Sequence, residues 1–170
     1  MINLSTRTNA LFSGSTKDKL LKGSLELFNR KGFVGVTTSL LASSAKVREG
    51  TLWYHFKSKK SLVESHIELF TANFDLELEI VNKIDLEALI KQLFSQYYFN
   101  WDFRYLFRDN LINYFSSDQS LADKLNNLNQ IRFNKIKEEA LLGRDIGIFN
   151  FKDNELEDLS EIIFLVADNW

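Results

Sequence analysis

Residues 37–58 read TTSLLASSAKVREGTLWYHFKS, and the fold turns on them. The stretch divides into two short helical segments around a tight turn at Lys46 and Val47. Thr37 or Thr38 can cap the first segment, because a threonine hydroxyl accepts from an amide that the helix leaves unpaired. The second segment spans roughly Arg48 to Tyr54. Leu40, Leu41 and Ala45 are expected inward, and Leu41, Ala42, Ala45, Val47 and Leu52 are small or apolar, as residues must be where two helices touch. Polar, basic and aromatic side chains are left for the outward face. This is the layout of a helix-turn-helix, whose second helix enters a major groove while the first lies across the backbone. Many short helical pairs satisfy that layout, so the flanking sequence has to carry the rest of the reading.

On the N-terminal side, Thr16 can cap a longer helix whose stripe holds Leu20, Leu21, Leu25, Leu27 and Phe28. Arg30 and Lys31 followed by Gly32 are a helix-stop signal. Residues 1–15 are rich in Ser, Thr and Asn with one charge, Arg7, and read as a mobile arm. On the other side Ser58 can cap a helix running as far as Val81. Asp85 starts a further helix with Leu86, Leu89, Ile90, Leu93, Phe94 and Tyr97, and a break is expected near 100–102. Another helix carries Phe103, Leu106, Phe107, Leu111 and Tyr114. Ser117 or Asp118 opens the next, with Leu121, Leu125, Leu128, Ile131, Ile136 and Ala140 on one side, and Gly143 and Gly147 flank the connection after it. Asn154 with Glu157 resembles a capping box at the start of the last helix. That helix is apolar on more than one face and has Asp168 in its final turn. This pattern suggests a chain that continues, or a helix buried against a partner.

The composition agrees with an all-α soluble protein. Of 170 residues, 45% are hydrophobic and 26% charged; there are seven glycines and no proline. With no cysteine, disulfides, thiolate metal sites and a cysteine nucleophile are excluded. Two histidines leave little material for a metal site. No apolar run reaches the roughly 18–20 residues of a membrane span, and residues 1–15 lack a signal-peptide core, so no membrane association and a cytoplasmic location are expected. The net charge of −2 conceals an asymmetry. Residues 1–62 carry eleven basic and three acidic residues, whereas residues 63–170 carry ten basic and twenty acidic. A cationic front end on an acidic body fits a polyanion-binding head, and nucleic acid is the obvious polyanion. Charge alone leaves chance clustering of solvated residues equally open.

The motifs are more specific. Thr16-Lys17-Asp18-Lys19-Leu20-Leu21, Leu25-Glu26-Leu27-Phe28, Lys31-Gly32-Phe33, Gly50-Thr51-Leu52-Trp53-Tyr54-His55-Phe56 and Ser58-Lys59-Lys60-Ser61-Leu62 follow one another at a characteristic spacing. Over about residues 16–62 the chain resembles the N-terminal DNA-binding domain of TetR/AcrR-family transcriptional regulators. The resemblance implies an arm at 1–15, a helix-turn-helix DNA-binding domain at 16–62 and a helical effector-binding and dimerisation domain at 63–170. It implies a homodimer on a palindromic double-stranded DNA operator, more often a repressor than an activator, released by a small-molecule effector. It places Thr37 and Thr38 at the cap that touches phosphate, and Thr51, Trp53, Tyr54 and His55 on the recognition helix. Lys59 matches the lysine that grips phosphate at the start of the fourth helix. Three departures bear on operator sequence: Lys46 stands where the family usually has Gly, Trp53 replaces the more usual Tyr, and Arg48 and Glu49 precede Gly50. Arg48 suits a phosphate or a guanine. Glu49 can accept from cytosine N4 or pair with a neighbouring cation.

Ten of the chain's 23 aromatic residues fall between residues 94 and 115. Phe94, Tyr97, Tyr98, Trp101, Phe103 and Phe107, with Arg104 and Arg108, are therefore the candidate lining of a site for an apolar or aromatic effector. Ordinary core packing is the competing reading for the rings, and pairing with local carboxylates for the arginines. No metal-ligand spacing, phosphate-binding loop or nucleophile–base pattern is present, so no cofactor and no enzyme activity are expected. The alternative reading is a helical small-molecule-binding or protein-interaction module with a degenerate DNA-binding domain.

Overall fold

The computed structural model describes residues 4–74, 86–108 and 111–168, and every regular element among them is helical. In chain order these are α1 (Thr6–Asn9), α2 (Thr16–Lys31), α3 (Thr38–Ser44), α4 (Glu49–His55), α5 (Lys59–Phe74), α6 (Leu86–Asp102), α7 (Tyr105–Arg108), α8 (Leu111–Tyr114), α9 (Gln119–Asp145) and α10 (Leu156–Asp168). A 3-10 turn, Asp153–Glu155, leads into α10. The expected helix start at Asp85 and the extension of α5 to Val81 lie outside the described residues.

Side-chain oxygens set the helix starts. Ser15, not Thr16, caps α2, accepting from the Asp18 amide at 3.1 Å. Thr37 caps α3 through the Leu40 amide. Ser58 and Ser61 cap the start of α5 reciprocally, each hydroxyl accepting the other's amide. Asp118 caps α9. Before α10 it is Glu155, rather than the expected Asn154 and Glu157 pair, that reaches back, accepting from the Lys152 amide at 2.7 Å. The break expected near 100–102 falls at Asp102, where α6 ends.

The chain forms two compact units: residues 1–75 with 95–110, and residues 76–94 with 111–170. Compactness therefore does not divide the chain at residue 62, because α5 and the second half of α6 cluster with the first helices. The core of the first unit holds a cluster of aromatic rings among its aliphatic side chains. Phe70 lies 4.8 Å from Phe74 and 5.3 Å from Phe99 between ring centroids, and Phe103 meets both Phe70 and Phe99. Phe28 packs on Phe33 and Tyr105.

A buried polar chain runs through that core. The Tyr105 hydroxyl lies 2.6 Å from His66 Nδ1, and His66 Nε2 lies 3.0 Å from the Leu21 carbonyl. A carbonyl can only accept, so Nε2 carries the proton and Nδ1 accepts from Tyr105. Burial lowers the His66 pKa to about 4, despite the bond to Leu21 that favours the charged ring. Asn29 of α2 ties down the corner between α6 and α7: its amide donates to the Asp102 carbonyl at 2.7 Å, and its oxygen accepts from the Tyr105 amide.

The N-terminal residues depart from the expected mobile arm. Leu4 and Thr8 are buried, and Ser5 caps α1. The Ser5 amide donates to the buried Asp102 carboxylate at 2.9 Å. A short, mostly polar segment gives little sequence signal of docking, because its partners lie some 66 to 97 residues away.

In the second unit, α9 buries Leu121, Ala122, Leu125, Leu128 and Ala140. The Arg132 guanidinium sits 5.0 Å over the Phe164 ring of α10, and Phe133 meets Phe164 edge-on. Lys137 pairs with Glu157. Gly143 lies within α9 rather than in the connection after it, and a Cβ there would sit 2.3 Å from the Phe149 ring. Glycine lets that ring fold back onto the helix. Ile162, Leu165 and Val166 of α10 are exposed.

Candidate nucleic-acid interface

The α3–α4 turn begins with the end of α3. Ala45 closes the helix, and Lys46 adopts φ +56°, the left-handed conformation that glycine usually supplies. The Lys46 amide then donates to the Ser43 carbonyl at 3.0 Å and the Val47 amide to the Ala42 carbonyl at 3.0 Å. These two bonds make a Schellman closure, which satisfies carbonyls that the end of α3 would leave orphaned. Lysine thus performs the turn at a conformational cost, with its own side chain exposed.

Packing against α2 fixes this pair of helices. Leu41, Ala42, Ala45 and Leu52 are buried. Gly23 of α2 lies under the end of α3, where a Cβ would come 2.6 Å from Ser44 Oγ. Leu52 is the buried anchor of α4, and Phe56, also buried, closes its end through a 2.8 Å bond to the Leu52 carbonyl.

With that anchor inward, the opposite face of α4 points outward. Arg48, Glu49 and Gly50 are exposed, Trp53 is 38% exposed and Tyr54 77%. Thr51 and His55 lie at the edge of this face, half-buried, with the His55 ring edge-on to Tyr54. Thr37 is exposed and Thr38 half-buried at the start of α3. Eight of the nine expected DNA-contacting residues are exposed or half-buried along the helix-turn-helix. Lys46 and Lys57, which the sequence reading did not select, are exposed beside it.

Lys59 is the exception. Its Nζ donates to the carbonyls of Phe33 and Val36, both at 2.6 Å, and lies 4.3 Å over the Phe33 ring. Burial holds its pKa below the usual lysine value. These two bonds fasten α5 to the α2–α3 connection. An ammonium has three donors, and two are committed here.

The expected effector residues are not brought together as one lining. Phe103 is fully buried among Phe70, Phe99 and His66. Phe107 packs on Phe70. Phe94, Tyr97 and Tyr98 are exposed on α6. Trp101 is half-buried; Arg104 stacks over its ring at 4.7 Å and donates to its carbonyl. The side chain of Arg108 lies outside the described residues. Of the ten rings in this stretch, Phe99, Phe103 and Tyr105 are buried in the core, whereas Phe94, Tyr97, Tyr98 and Tyr114 are exposed.

The face has known counterparts. Residues 20–65 match the family of bacterial regulatory proteins designated tetR, and residues 70–170 match a family described as a bacterial transcriptional repressor, also designated TetR. The chain is 30% identical over 93 residues to IcaR of Staphylococcus aureus (strain Newman), a negative transcriptional regulator of a biofilm operon. That alignment covers 53% of the chain and 50% of IcaR. It is 35% identical over 80 residues to YttP of Bacillus subtilis (strain 168), a probable helix-turn-helix regulator, covering 46% of the chain and 39% of YttP. The chain thus matches half or less of the length of these curated relatives. A TetR-family regulator from Marinobacter aquaeolei VT8 superposes with a TM-score of 0.77 at 28% identity, covering 92% of the chain and 78% of that structure. With both segments matched and the helix-turn-helix intact, the chain belongs to the TetR family of bacterial transcriptional regulators.

Proposed function

We propose that this protein is a sequence-specific DNA-binding repressor, acting as a homodimer on a palindromic operator and released by a small-molecule effector. The observation that carries the reading is the outward face of α4. Trp53 and Tyr54 stand exposed above a buried Leu52 anchor, with Arg48, Lys46 and Lys57 exposed around them. Exposed aromatics in a cationic frame offer base edges a donor and an apolar surface, while the lysines meet phosphates. Thr37, Thr38, Thr51 and His55 border the same face. In this assignment residues 16–62 bind DNA, and residues 63–170 pair two copies and hold the effector. No helix among the described residues is long and apolar enough to cross a membrane. A cytoplasmic protein accords with this reading.

The test is a fluorescence-anisotropy titration of the full chain against DNA upstream of its own gene. Affinity should fall steeply with salt, by about a thousandfold between 50 and 200 mM if some six phosphates are neutralised. Arg48→Ala should cost about 1–3 kcal/mol if the guanidinium is bidentate to a guanine, and should relax sequence preference there. Equal affinity for random duplexes would contradict the reading.

A further inference from the structure

We propose that residues 4–12 form an intramolecular strap in which Arg7 is a positioning residue, holding the C-terminal end of α5 against residues 95–102 of α6 and so fixing the helix to which the α3–α4 head is fastened. The functional half of this proposal rests on the DNA-binding reading above. The Arg7 guanidinium spans both elements. Its Nη2 donates to the Asn73 carbonyl at 2.5 Å and the Phe74 carbonyl at 3.2 Å, both in the last turn of α5. Its Nη1 reaches Gln96 Oε1 at 3.3 Å and Ser95 Oγ at 3.4 Å on α6. The guanidinium carbon lies 4.2 Å over the Phe99 ring. A cation at the end of a helix meets carbonyls that have no partner within the helix, and the planar fork lets one side chain serve two helices at once.

The rest of the segment supports that grip. The Ser5 amide bonds Asp102 at the end of α6, and Asn9 holds the segment's own turn by donating to the Leu4 and Ser5 carbonyls. Leu4 and Thr8 are buried beneath. At its other end α5 is fastened by Lys59 to the Phe33 and Val36 carbonyls, immediately before α3. A displacement of the C-terminal end of α5 is therefore carried along one rigid helix to the support of the head. The strap also lies outside both matched segments, which begin at residues 20 and 70.

The test uses the full chain with Arg7→Ala and the milder Arg7→Lys, which keeps the charge and lacks the fork. Hydrogen exchange without DNA should quicken at residues 69–74 and 95–102 in Arg7→Ala and leave 41–52 unchanged. Operator affinity, measured where circular dichroism shows each variant fully folded, should fall about three- to thirtyfold with the same salt slope. Arg7→Lys should show both changes at smaller amplitude, and it decides the matter if Arg7→Ala folds poorly. Unchanged exchange overturns the strap. Faster exchange with wild-type operator affinity in the folded variant overturns the positioning role and leaves a purely structural contact. A wild-type chain that binds no DNA overturns the proposed function, and exchange then judges the strap alone.

Discussion

Lys46 and His66 show how single residues hold this architecture at a cost. Lys46 is the one non-glycine residue at positive φ among the described residues. A side chain there costs about 1–2 kcal/mol, partly offset by the greater freedom glycine has when unfolded. Lys46→Gly should therefore stabilise the protein by about 1 kcal/mol in urea denaturation, at constant m-value. A loss of stability would mean that the lysine side chain makes a contact the turn needs. For His66 the ring is buried neutral with a folded pKa of about 4, below the unfolded value near 6.5. Protons then bind the unfolded chain more readily, so stability falls as pH drops from about 6.5 towards 4, by up to about 3 kcal/mol. His66→Gln should flatten the pH dependence between 6.5 and 5, above the main carboxylate range. A variant with the wild-type slope would place the titration elsewhere. Only part of this was legible beforehand. The turn at Lys46 could be read, but φ depends on the closing bonds, and a lone histidine in a helical stripe carries no mark of its partners in α2 and α7.

At the scale of elements, the helix-turn-helix was legible because its signals are local. Leu41, Ala45 and Leu52 recur at helical spacing, and Thr37 and Ser58 announce helix starts within three residues of the amides they cap. What could not be read was which cations face outward. Lys59 sits one residue after a cap, which suggested an anion contact; the Phe33 and Val36 carbonyls that claim it lie 23 to 26 residues earlier. Lys59→Met should cost about 1–3 kcal/mol of stability, since it leaves those half-buried carbonyls without their donor. Under folded conditions it should weaken DNA binding less than Arg48→Ala does. Both quantities come from chemical denaturation and operator titration on the same preparations. A Lys59→Met protein of full stability but lost affinity would restore the phosphate role. The α1 segment failed the reading for the same reason, since the partners that dock it are distant in sequence.

Across the whole molecule, charge and fold class were readable from composition, while the division into units was not. The surplus of basic residues before position 63 needs only counting. The inclusion of residues 95–110 with the first helices depends on Asn29, His66 and Arg7 reaching across the chain. The same long-range packing draws Phe103 into the core and sets Phe107 against Phe70, and the sequence could not separate that use of aromatics from a ligand lining. Selection of bound duplexes from a random pool, run in parallel with the wild-type chain and with Arg48→Ala and Thr51→Ala, tests the central assignment most directly. The wild type should enrich an inverted repeat whose half-sites lie one helical turn apart, about 34–36 Å, and each variant should lose preference at one base pair per half-site. A pool that stays random with the wild-type chain, or identical enrichment for all three proteins, would contradict the assignment of α4 as the element that reads DNA.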